Sequence, residues 1–186
     1  MTYQTQGIIL KITDHREVDQ LFYIYTLSQG KVVAIGRGTK KIKSKLNSNL
    51  KQLAVVDLMI ADGKNYSHIA GATVNKNFNN IITDLKKIIL ASFALELVEK
   101  FTKVDQPDEK LFGLVVKYFD ILNSNSFEEK DWQIIRQAFV IKLLAILGFA
   151  PTPEIMADHK KLDYFLKEQL DSELQTENFF AKMSKS

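Results

Sequence analysis

The chain has no cysteine in its 186 residues. That excludes disulfides, cysteine nucleophiles and thiolate metal ligands, and it fits a reducing cytoplasm. No stretch reaches eighteen uninterrupted apolar residues, so no transmembrane helix and no membrane role are expected. The opening MTYQTQGIILKITDHRE lacks a basic leader, and its apolar run from Gly7 to Leu10 is too short for a signal core, so export is not expected. Internal repeats and low-complexity linkers are missing too. Acid is missing from one place in particular. Between Asp19 and Asp57 there is none, while seven bases occur: Lys31, Arg37, Lys40, Lys41, Lys43, Lys45 and Lys51.

Six of those bases crowd into GRGTKKIKSKLNSNLKQ, residues 36–52. Their surplus is part of a wider asymmetry. Residues 1–80 hold 11 Lys/Arg against 5 Asp/Glu, whereas residues 81–186 hold 14 against 17. A positive half joined to a mildly negative half suits a polyanion as partner of the first half; a solubilising surface is the other reading.

Hydrophobic patterning divides the chain near Asn75-Lys76-Asn77. The first part reads as five short strands: Ile8 to Ile12, residues 20–27, residues 31–35, residues 53–62 and residues 66–74. Their aromatic and β-branched content suits a pleated surface. The turns between them carry glycine, at Gly30 and Gly63. Five strands with one long connection between the third and fourth is the pattern of an OB barrel. In that frame the basic stretch is a long mobile loop. From Ile81 the period becomes helical, over residues 81–103 and then 107–122. Pro107 is expected in a first turn, with Asp108 and Glu109 at the positive helix end. Ser126 to Glu129 resembles a capping box opening a third helix, apolar nearly all round and therefore central, with Gly148 as its cap. The remainder holds a weaker amphipathic pattern, and AKMSKS is expected to fray. The expected fold is thus α+β and multidomain: a five-stranded OB barrel over 1–78 followed by an α-helical bundle over 79–186.

Most chemistries fail on spacing. GRGTKKIKS does not match a P-loop, and Gly36-Arg37-Gly38 supplies only the first pair of a dinucleotide fingerprint. His15, His68 and His159 have no metal-ligand spacing, and no serine sits in a nucleophile elbow. His15 reads as solvated in a turn, His68 as a structural strand residue. Asp14, Glu17 and Asp19 read as turn caps before they read as a cation site. No catalytic residue, metal or cofactor is expected, and the chain does not read as an enzyme. Nucleic-acid binding survives. Each base that contacts a phosphate releases a counterion, and OB barrels stack bases on aromatics. Tyr23, Tyr25 and Tyr66 are candidate platforms, with packing as the competing role; Phe22 reads as core.

Three segments, GIILKITDHREVDQLFYIYTLSQGKVVAIGRGTKKIKSKL, ASFALELVEKFTKVDQPDEKLFGLV and RQAFVIKLLAILGFAP, together resemble the bacterial recombination mediator family RecO. They share its order: a G-I-hydrophobic strand (Gly7), a turn with E-x-D (Glu17, Asp19), a strand ending in Thr26, a glycine hairpin (Gly30, Lys31), a basic loop from Gly36, and a central helix running into L-G-[YF]-x-P. The resemblance covers about residues 5 to 153. It implies DNA repair by homologous recombination through the RecF pathway. It implies binding of single- and double-stranded DNA, strand annealing, contact with RecR and with the acidic tail of single-strand-binding protein, and help in loading RecA, in the cytoplasm at the nucleoid. Many family members carry four cysteines of a zinc site after the L-G-[YF]-x-P segment. This chain has none, and its tail is shorter than usual. An apolar groove flanked by Arg136 and Lys142 is a candidate seat for the single-strand-binding protein tail; solvation of a buried helix is the plainer role. A non-catalytic protein-interaction scaffold and an OB-type RNA binder remain rival readings.

Overall fold

The computed structural model describes residues 1–42 and 44–176, Lys45 by its backbone alone. The expected fray at AKMSKS therefore lies outside the described residues. The chain forms two compact units: Met1–Phe78 with Thr102–Phe112, and Asn79–Phe101 with the chain from Gly113 onward.

In the first unit, β1 (Thr2–Asp14), β2 (Gln20–Thr26), β3 (Gly30–Gly36), β4 (Ala54–Ala61) and β5 (Ser67–Asn77) close into a barrel of order β1-β2-β3-β5-β4. This is the expected OB barrel. Every pairing is antiparallel except the seam of β3 and β5, which is parallel and only two pairs long, Ala34↔Ser67 and Ile35↔His68. Strand alternation fills the inside with Ile9, Phe22, Ile24, Val32, Ala34, Val56, Leu58, Ile60 and Ile69. Fully burying one such large side chain is worth about 1.5–3 kcal/mol. β1 outruns its apolar core because it serves two neighbours, β4 through Thr2 to Ile8 and β2 through Gly7 to Asp14. The register shift between Ile9 and Lys11 lets it bend from one to the other.

Two features correct the sequence reading. The basic stretch is not a loop throughout. Ser44 caps a five-residue helix, α1 (Lys45–Asn49), by accepting from Asn47 N–H at 3.2 Å. Leu46 and Leu50 then pack onto the barrel core. Apolar side chains three or four apart on one helical turn face the same way, so the segment closes the barrel on one face and stays polar on the other. The second feature is a strap, residues 102–112, laid along β2 and β3. Val104 bridges to Lys31, Asp105 N–H donates to the Lys31 carbonyl at 3.2 Å, and Asp108 N–H donates to Tyr25 Oη at 3.0 Å. Alternation sends Tyr25 to the outer face of β2, yet it is 1% exposed because the strap covers it. Tyr25 is therefore packing and not a stacking platform, whereas Phe22 is core as expected. Gly30 sits under the strap at φ +67°, where a Cβ would lie 2.3 Å from the Gln106 carbonyl carbon.

The helices are α2 (Leu85–Phe101), α3 (Glu109–Ser124), α4 (Asp131–Ile146), α5 (Pro153–Met156) and α6 (His159–Glu168). Asp84 caps α2, accepting from Lys86 N–H at 2.9 Å. Asp108 caps α3 through Lys110 and Leu111 N–H, so Pro107 precedes the cap and does not occupy the first turn. α4 starts at Asp131 and not at the expected capping box. Phe127 turns in against Trp132, rings 5.3 Å apart, and Asp131 accepts from Glu128 N–H. Gly148 ends α4 at φ +85°, with its own N–H on Ala145 O and Phe149 N–H on Leu144 O. The second unit's core joins Phe93 and Leu97 of α2, Phe119 and Leu122 of α3, Phe139 and Leu143 of α4, and Leu162 and Leu166 of α6. α4 is not apolar-buried all round: Ile134 is 62% exposed and Ala138 is also exposed.

Candidate nucleic-acid interface

Closing the barrel at the β3–β5 seam gathers the β1–β2 turn, the start of the basic stretch and the β4–β5 turn around one cavity of about 310 Å³. Asp19 organises it. Its Oδ1 accepts from Gly38 N–H at 2.8 Å, and its backbone carbonyl accepts from His15 N–H at 3.2 Å. Lys40 N–H donates to the Val18 carbonyl, and the Lys40 ammonium pairs with Asp14 at 3.0 Å. Asp14 and Asp19 thus pin the basic stretch to the neighbouring turn, a longer-range role for their side chains than the local turn capping expected of the acidic cluster.

Arg37, Tyr66 and His68 line the cavity, and Arg37 Nη2 lies 3.4 Å from His68 Nε2. Arg16 and Lys64 line it too, from the two turns. Sequence reading passed over both, since each is a single base in a short turn; the signal was that these turns are the ligand-binding loops of an OB barrel. His15, read as solvated, is half-buried and meets Tyr66 edge-to-face, rings 5.8 Å apart.

The other candidates are dispersed. Lys41 is exposed, its N–H on the Gly38 carbonyl. Lys51 is exposed just beyond α1. Lys43 lies outside the described residues, as does the side chain of Lys45. Lys31 stands apart, donating from Nζ to the Thr102 carbonyl in the strap at 3.3 Å. Tyr23 is half-buried on the outer sheet face, with Lys11 Nζ 5.7 Å from its ring centroid.

In the second unit, Arg136 and Lys142 part company. Arg136 is 8% exposed, lies 4.5 Å above the Phe93 ring and pairs with Asp163 at 2.5 Å. Lys142 does flank a groove of about 100 Å³, floored by Leu114, Ile121, Ile135, Ala138 and Phe139, with Lys117 as the second flanking base. Tyr118 Oη has its pKa pushed up by burial, with Arg136 opposing. The residues after Gly148 do not fit a thiolate zinc site. The chain holds no cysteine, and among the described residues no three His, Asp or Glu are grouped to hold a metal ion. After Gly148, Asp158 caps α6 through Lys160 and Lys161 N–H, and a Lys161–Glu154 pair at 2.5 Å ties α6 to α5. Among the described residues no helix is long and apolar enough to cross a membrane.

Comparison with known proteins divides the chain near residue 80, with the strap falling inside the second match although it packs in the first unit. Residues 1–78 match the family model described as Recombination protein O N terminal, and residues 82–154 the one described as Recombination protein O C terminal. DNA repair protein RecO of Clostridium perfringens is 32% identical over 146 residues, 78% of this chain and 58% of that protein. The Caldanaerobacter subterraneus protein of the same name is 28% identical over 165 residues, 87% of this chain and 66% of that one. The Listeria monocytogenes protein is 32% identical over 148 residues, 79% of this chain and 56% of its own length. The chain thus spans 56% to 66% of the length of these relatives. Two halves of one family description, met in order over a barrel and then helices, leave a single assignment: the chain belongs to the RecO family.

Proposed function

We propose that the chain is a DNA-binding mediator of repair by homologous recombination that works by binding and not by catalysis, in the cytoplasm at the nucleoid. The observation that carries this reading is the acid-free run of bases over residues 20–56, whose Arg37 opens onto a cavity shared with Arg16 and Lys64. Arg37, Lys41, Lys43, Lys45 and Lys51 supply positive charge to the phosphates of single- or double-stranded DNA, and Lys40 joins them by exchanging its Asp14 partner for phosphate. Neutralising two strands lowers their mutual repulsion, which favours annealing. Lys31, held by the strap, contributes to the field more than to contact.

The groove flanked by Lys117 and Lys142 supports the partner half of the proposal. Its apolar floor and two cations complement an acidic, apolar peptide such as the tail of single-strand-binding protein. Arg136 has no place in that contact; it serves the core. Cooperation with RecR, and through it the loading of RecA, completes the proposed role.

The test is fluorescence anisotropy with labelled DNA at two salt concentrations. Replacing Lys40, Lys41, Lys43 and Lys45 by Ala should weaken binding and flatten the salt dependence, by about 0.7 units of slope per lost single-strand contact. Unchanged affinity would sink the assignment. No binding at low salt would favour a protein-interaction scaffold, and a clear preference for RNA of equal length an RNA binder.

A further inference from the structure

We propose that the cavity beside the β3–β5 seam takes one unpaired nucleotide of a DNA strand, its base against Tyr66 and His15 and its phosphate among Arg16, Arg37 and Lys64. This rests on the DNA-binding reading above and adds what that reading leaves open, a preference for unpaired strands.

Three observations converge. The first is size. At about 310 Å³ the cavity is at the low end of small-ligand sites, which suits one nucleotide better than a stacked pair. The second is the ring geometry. Tyr66 keeps 41% of its surface exposed, and its ring meets His15 at 73°. Two rings nearly at right angles form a corner: a base stacks on one face and meets the other with its edge. A site for phosphate alone has no use for that corner. The third is charge. Three cations line the cavity against one carboxylate, Asp19, and that carboxylate already accepts from Gly38 N–H. Arg37 is steered towards the seam by His68 at 3.4 Å. The barrel's closure explains why these groups meet. His68 pairs in register with Ile35, two residues before Arg37, and Arg16 and Lys64 enter from the turns on either side.

A base in a duplex is stacked and paired, so it reaches such a corner only by flipping out, at a cost of a few kcal/mol. An unpaired base pays much less. The cavity therefore discriminates by pairing state and not by sequence, since every base has a π-face. The lysines of the basic stretch beyond Arg37, in contrast, see phosphates in either form of DNA.

The experiment uses the whole chain and anisotropy with three labelled ligands: oligo-dT, the same backbone carrying abasic residues, and a duplex of equal length. Tyr66→Ala should weaken oligo-dT binding by about tenfold, within the range of one lost stacking contact, and leave the abasic strand and the duplex within about twofold. Tyr66→Phe should keep oligo-dT affinity, because it keeps the ring. Lys64→Ala should weaken oligo-dT binding and flatten its salt dependence. Tyr66→Ala with full oligo-dT affinity, or with equal losses on all three ligands, overturns the proposal while leaving DNA binding intact. An unaltered chain that binds no DNA at low salt overturns both. Binding of dTMP alone as tightly as oligo-dT overturns the strand as the source of the nucleotide.

Discussion

Arg136 and Lys142 lie on the same helix, six residues apart in sequence, and their surroundings give them opposite work. Arg136 lies over Phe93 and reaches Asp163, while Lys142 edges an open groove. Truncating Arg136 leaves Asp163 without its ion-pair partner and strips the cover from an aromatic ring. Arg136→Ala should lower unfolding stability by about 2–3 kcal/mol, below the full cost of breaking a buried pair because Asp163 keeps part of its exposure. Arg136→Met, which retains the stem over Phe93, should cost less; urea titration of both variants measures the difference. Lys142→Ala should change stability little. None of this was legible in the sequence, where both residues were simply bases on an apolar helix. Asp158 supplies a pH signature at the same scale. Lys161 and Lys160 N–H hold its carboxyl below the ordinary value of 3.8. A depressed folded pKa stabilises above the unfolded value and loses that contribution as pH falls through the folded one. Asp158→Asn keeps a neutral cap, so the melting-temperature gap between it and the unaltered chain should shrink as pH drops below about 4. A gap constant with pH would count against the charge as the source.

Among elements, strands and helices were legible because burial imposes a period, and five strands with one long connection pointed to an OB barrel. What joins the elements was less legible. The strap over β2 leaves no periodic trace, so in the sequence Tyr25 looks as free as Tyr66, although Asp108 N–H bonds to its hydroxyl. The start of α4 differs because Ser126 to Glu129 has the letters of a capping box, while in the fold Phe127 packs on Trp132 and Asp131 accepts from Glu128 N–H. The strap's seat depends on Gly30, and that can be measured. A side chain at φ +67°, with its Cβ 2.3 Å from the Gln106 carbonyl carbon, must push the strap away or distort the hairpin. Gly30→Ala should cost about 1–3 kcal/mol in urea titration, in the range for a strained backbone position. It should also speed amide exchange at Asp105 and Asp108, whose N–H groups bond to Lys31 and Tyr25. Stability lost without faster exchange there would place the strain in the hairpin instead.

At the scale of the whole molecule, charge is divided along the chain. Residues 1–80 carry the basic excess and residues 81–186 the acidic one. Exposed charges farther apart than about 8–10 Å are largely screened at physiological salt, so a bound polyanion senses chiefly the bases beside its own contact. The division was legible from the sequence, whereas the two surfaces were not. The cavity needs turns from three places in the chain, and the groove needs α3 and α4 side by side. Separate surfaces predict separable losses. Lys117→Ala with Lys142→Ala removes both cations flanking the groove, and should weaken an acidic, apolar peptide by about 5- to 30-fold, at roughly 0.5–1 kcal/mol for each rim charge and its cooperation with the apolar floor. Isothermal titration of the peptide measures that loss. The same double variant should keep DNA affinity and its salt slope within error, since neither lysine belongs to the basic stretch. The lysine replacements at 40, 41, 43 and 45 should do the reverse. If the groove variant also flattened the salt slope for DNA, strands would be running onto the helices, and the groove would be an extension of the DNA track and not a seat for a protein tail.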